Sequence, residues 1–138
     1  RNETLTGRTQ LWDEVLAMGT NPLIGVGYDS FWLGERGQYF WDKYWWRPRQ
    51  AHNGYIETYL NLGLIGLFLL IGIIFAAMKS IGKRKISPDG FEYQALGIVF
   101  LIVVILVNIT EAMIGGLIWQ TFLILTIEYK TQDSVRIL

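Results

Sequence analysis

From Leu60 to Met78 nearly every residue is apolar, with Asn61 the main exception near the start. Together with Tyr55 to Tyr59 the run reaches the roughly 20 residues a helix needs to cross the hydrocarbon core of a bilayer. Lipid offers a backbone no hydrogen bonds, so only a helix or a closed barrel can span it. A single continuous apolar run of this length therefore commits the chain to a helical membrane architecture. It ends in Lys79, Lys83, Arg84 and Lys85, followed by Pro88-Asp89-Gly90, which reads as a turn. Basic loops stay on the cytoplasmic side. Residues 53–78 are thus expected to span, 79–93 to form a cytoplasmic loop, and everything before residue 53 to lie on the outer side.

Further apolar runs follow at 94–114 and 115–129, with a tail at 130–138. The interval from Ala95 to Ile127 is short for two spans at about 20 residues each. Either the turn at Glu111 to Gly116 is embedded and irregular, or the last helix is short. The expected fold is an all-α polytopic membrane protein with about three transmembrane helices after an outer loop. The chain opens at Arg1 on a polar segment. It reads as the C-terminal piece of a larger transmembrane protein, whose remainder is then an expected partner together with membrane lipids.

The outer block, residues 1–52, is polar, aromatic and glycine-rich. Thr4 or Thr6 can cap a helix over roughly Leu5 to Met18, with Leu5, Trp12, Val15 and Leu16 on one face and Arg8 among them. Asn21-Pro22 ends that helix, and Gly25 and Gly27 mark a turn leading to Tyr28–Leu33. Residues 39–49 are dense in aromatics and arginine. Zero formal net charge gives no general attraction to nucleic acid. The absence of cysteine removes disulfides and thiolate chemistry.

His52 is the single histidine and stands at the mouth of the apolar run. A neutral imidazole there can take a proton from a hydroxyl as general base, with Asn53 as an orienting neighbour. Its plainer reading is an interfacial side chain. Arg47 and Arg49 flank Pro48 and can grip a diphosphate or anchor the loop. Arg8, on an apolar helix face, needs an anion, and a phosphate held through two N–H groups is a natural one. Glu57 can pair with an arginine, orient substrate, or stabilise a helix N-terminus. Asn108 and Glu111 sit near the outer end of a span, where a carboxylate is either functional or interfacial. Gly63 and Gly66 form a small-x-x-small step of the kind that packs spanning helices. The scattered carboxylates Asp29, Glu35 and Asp42 do not make a calcium or magnesium site.

His52-Asn53, nine spacer residues, then Gly63-Leu64-Ile65-Gly66 resembles the signature of the bacterial O-antigen ligase and polymerase superfamily. The upstream segments Gly7-Arg8-Thr9-Gln10-Leu11-Trp12 and Asn21-Pro22-Leu23-Ile24-Gly25-Val26-Gly27 resemble the start of that family's large periplasmic loop. The likeness covers about residues 5 to 75; beyond that it is one of hydropathy. It implies a helical, GT-C-like glycosyltransferase of the bacterial inner membrane with its site facing the periplasm. The implied donor is a glycan on undecaprenyl diphosphate, and the chemistry needs neither metal nor cofactor. By position, His52 matches the family's base and Arg8 the arginine that engages the donor diphosphate. The acceptor stays open: lipid A-core for a ligase, another glycan repeat for a polymerase, or a protein hydroxyl.

Two readings from other classes stand beside this one. Asn108, Glu111 and the glycine pair can line a transport path. Alternatively Trp41, Trp45 and Trp46 can stack on sugars in a membrane-anchored binding module, or form an interfacial belt.

Overall fold

A computed structural model describes residues 5–82 and 88–112. The described residues form four helices, α1 (Leu5–Ala17), α2 (Gly34–Lys43), α3 (Gly54–Gly82) and α4 (Pro88–Thr110), and no strand. The expected span at 115–129 and the tail at 130–138 lie outside the described residues. Gly54–Ile81 is long and apolar enough to cross a membrane, and only 33% of its most apolar window is buried. A helix at the centre of a soluble domain would be mostly buried, whereas here Phe68 and Phe75 are among the most exposed side chains. The apolar part of α4, Ala95–Thr110, is shorter.

Two apolar clusters hold the helices together. Leu11 and Val15 of α1, Phe31 and Trp32 of the preceding turn, Phe40 of α2, Ala51 and Leu60 form one cluster. Phe31, Phe40, Leu11, Leu60 and Val15 are among its fully buried members, each contributing about 1.5–3 kcal/mol by leaving water. Ala77 and Ile81 of α3 meet Leu101 of α4 in the second. The buried stripe of α1 runs through Leu11 and Val15, not Leu16, which is half exposed. Leu11, one turn after Arg8, joins this stripe in addition to the face expected from Leu5, Trp12 and Val15.

Three expectations are corrected. Pro88-Asp89-Gly90 is the first turn of α4 and not a free turn; proline suits that place because its missing N–H would be unpaired there anyway. Lys79 lies within α3, which runs to Gly82, so the connection is shorter than 79–93. Most consequentially, Gly63 is not a step in a regular helix. It adopts φ 64° and ψ −157°, and α3 breaks there.

The break is splinted by the loop after α1. A regular helix would join Leu64 N–H to Leu60 O and Ile65 N–H to Asn61 O. Instead Leu64 N–H donates to Pro22 O at 2.8 Å and Ile65 N–H to Leu23 O at 3.1 Å. The two carbonyls left over accept from Val26 N–H at 2.9 Å and Gly27 N–H at 3.0 Å. These four backbone groups freed by the break all find partners, as an apolar environment requires. The loop keeps its shape because Asn21 Oδ1 accepts from Leu23 and Ile24 N–H, while Asn21 O accepts from Gly25 N–H. A Cβ on Gly63 would lie 2.3 Å from the Leu23 carbonyl carbon.

Candidate functional site

His52 has φ 51°, the left-handed conformation that a non-glycine residue seldom adopts. Its neighbours on both sides are clamped. Ala51 N–H donates to Glu57 Oε2 at 2.7 Å, and Ala51 O accepts from Trp12 Nε1–H of α1 at 2.7 Å. Asn53 caps α3, its Oδ1 accepting from Tyr55 and Ile56 N–H at 3.0 and 3.1 Å. Asn53 Nδ2–H donates to Ile109 O at 3.1 Å, one of the carbonyls that the end of α4 leaves unpaired. Tyr55 O–H donates to Ile105 O at 3.0 Å, and Gly54 lets Asn108 approach so closely that a Cβ would meet its side chain. The start of α3 and the end of α4 are stitched together, with His52 on the seam.

The imidazole itself is half-buried. Trp46 lies beside it, ring centroids 5.7 Å apart, and Nδ1 is 3.1 Å from Glu111 Oε2. Arg8 Nη2–H donates to Glu111 Oε1 at 3.1 Å, and its Nη1–H donates to Thr110 O. Glu111 follows the last residue of α4, where the helix dipole is negative and a lone carboxylate is unfavourable. The hydrogen bond from His52, followed by the charges of His52 and Arg8, outweighs burial and holds the Glu111 carboxyl below its ordinary range.

His52 lines a cavity of about 950 Å³. Arg47, Arg49, Glu57 and Asn61 share its polar part, and Leu62, Gly66, Leu69, Leu70 and Ile73 continue it along the apolar face of α3. Arg47 also has a positive φ, 45°, and Arg49 stacks over Trp41 at 5.6 Å. Backbone strain of this kind is common in clefts that bind or react. Of the residues singled out in the sequence, His52, Arg47, Arg49, Glu57 and Gly66 meet around this cavity. Asn53 and Gly63 shape it from behind. Arg8 reaches it through Glu111.

Glu57 has a role outside its three expected ones: besides Ala51 N–H it accepts from Trp32 Nε1–H at 2.9 Å, tying the turn before His52 to the aromatic cluster. The three tryptophans divide. Trp45 is exposed, Trp41 donates to Pro48 O at 2.9 Å, and Trp46 packs on the histidine. The sequence offers Glu111 as a functional or interfacial carboxylate or as part of a transport path, and not as the partner of His52. Its cost as a carboxylate near the end of an apolar run was the signal, and its partners lie 59 and 103 residues away. Among the described residues no three His, Asp or Glu side chains group as a metal site.

An all-helical membrane protein with a histidine–carboxylate–arginine cluster at the head of a broken spanning helix is the class these features define. The chain belongs to the O-antigen ligase family, whose match covers residues 1–71. It is similar to the exopolysaccharide production protein ExoQ of Rhizobium meliloti (strain 1021), 36% identical over 95 residues. That alignment takes in 64% of this chain and 22% of the relative, so the chain spans about a fifth of the length of the protein it matches. No solved structure matches.

Proposed function

We propose that the protein moves a glycan from undecaprenyl diphosphate to an acceptor hydroxyl at the periplasmic face of the inner membrane. The observation that carries this reading is one cavity with two characters. Arg47, Arg49 and His52 line its polar part, and the apolar face of α3 lines the rest. A ligand with an anionic head and a long hydrocarbon tail suits both at once. In the reaction the acceptor oxygen attacks the anomeric carbon while His52 Nε2 takes the hydroxyl proton. The bond from that carbon to the diphosphate breaks, and its electron pair leaves with the lipid diphosphate. Negative charge grows on the leaving group, so guanidinium groups stabilise the transition state more than the ground state. Arg47 and Arg49, which line the polar part of the cavity, supply this charge, while Arg8 stands behind them on Thr110 and Glu111. These residues carry the chemistry without a metal or cofactor.

The relative's role in exopolysaccharide production favours a growing glycan as acceptor over lipid A-core. The test is His52→Ala in the full-length protein, assayed for transfer from a lipid-linked oligosaccharide in membranes. Transfer is expected to vanish while insertion and abundance hold, and retained transfer would overturn the proposal. Product length separates the acceptors: a ladder of repeats marks a polymerase, a single addition to core a ligase.

A further inference from the structure

We infer that Glu111 is a positioning residue for His52, accepting the Nδ1 proton so that the Nε2 lone pair is left as the base, while Arg8 holds the carboxylate in place. The inference rests on the reading of His52 as a proton acceptor and adds to it a residue outside the family's matched segment of 1–71.

Three elements that are distant in sequence converge at this carboxylate. α1 brings Arg8, the turn before α3 brings His52, and the end of α4 brings Glu111 itself. Each carboxylate oxygen has its own partner at 3.1 Å, Oε1 with Arg8 and Oε2 with His52. A neutral imidazole carries one proton, and the hydrogen-bond partner of one nitrogen decides which. A carboxylate can only accept, so Nδ1 must donate to it. The side-chain amide of Gln50 is also near Nδ1, at 3.5 Å; the charged and closer Glu111 sets the ring. Nε2 is then an unprotonated acceptor, as removal of a proton from a hydroxyl requires.

Arg8 has a matching reason to be there. Glu111 and the Thr110 carbonyl stand at the negative end of α4, and the guanidinium meets both. The remaining charged side chains around the cavity, Arg47, Arg49, Asp29 and Glu57, make no hydrogen bond to the Nδ1 edge among the described residues. Asn53 and Trp12 fix the backbone on either side of His52, but nothing else in the described residues fixes the ring's proton.

The test uses the full-length protein. Glu111→Gln keeps shape but loses charge, and Glu111→Ala removes the acceptor. Both should lower kcat, by no more than the roughly 10²–10⁴-fold that a positioned general base contributes, with KM for the lipid-linked donor little changed. Nitrogen-15 spectra, with His52 assigned against His52→Asn, should show the Nδ1–H tautomer in the wild type and its loss in Glu111→Ala. Wild-type kcat in Glu111→Gln, or an unchanged tautomer in Glu111→Ala, would overturn the inference. Those results with an inactive His52→Ala would leave the base assignment standing. An active His52→Ala would instead remove the base assignment itself.

Discussion

The side-chain amide of Asn53 donates to the carbonyl of Ile109, so the residue that follows the histidine caps α3 and closes the end of α4. Asn53→Ala should lose both roles and destabilise the protein by about 1 kcal/mol through the cap alone. Asn53→Asp keeps the cap and loses the donor to Ile109. Thermal unfolding in detergent is expected to rank wild type above Asn53→Asp and Asn53→Asp above Asn53→Ala.

Gly63→Ala tests the break in α3. Alanine normally improves a helix by up to about 1 kcal/mol over glycine, and at Gly72, where a Cβ meets nothing, it should do so or be neutral. At Gly63 the positive φ and the nearby Leu23 backbone reverse the sign. The variant should lose more than about 1 kcal/mol. Equal melting of the two variants would show that the splint is not part of the fold.

Glu57→Gln should be costly despite its small change in shape. Glu57 accepts from two N–H groups, Ala51 and Trp32, and an amide offers only one acceptor oxygen. One buried donor is then left facing an NH₂ group, a loss of about 1–3 kcal/mol. Because Ala51 precedes His52, transfer activity should fall as well. Trp32→Phe removes the donor along with its need and should cost less in both readouts.

Acid should weaken the Glu111 cluster, and the sign follows from its lowered folded-state pKa. The folded protein holds the carboxylate ionised below the ordinary 4.5, so its contribution is complete above that value. It is lost as pH falls through the lowered one. The melting difference between wild type and Glu111→Gln should therefore hold from neutral pH down to about 4.5 and narrow only below it. A gap that stays constant would mean that the charge of Glu111 does not stabilise the fold.

Much of the arrangement could be read from local pattern. The helix over Leu5–Met18 appears as Leu5–Ala17, and His52 lies at the head of the apolar run as expected. α2 had no comparable signal, because Gly34-Glu35-Arg36-Gly37 opens it with few apolar residues and its burial depends on Phe40 meeting Phe31 and Trp32. Gly63 misled for a different reason. A glycine in an apolar run looks the same whether it packs a straight helix or breaks one, and the loop that satisfies the break lies some 40 residues upstream. Glu111 could be flagged by its cost near lipid, but its partners could not be named from spacing.

The four bonds across Gly63 carry a consequence for engineering. The stretch from Pro22 to Gly27 supplies donors and acceptors that α3 lacks, so the two segments form one inseparable unit of backbone. A chimaera that grafts the outer block of a relative onto this spanning helix must carry residues 60–65 with it. Amide exchange at Leu64 and Ile65 would report directly on whether the graft has seated.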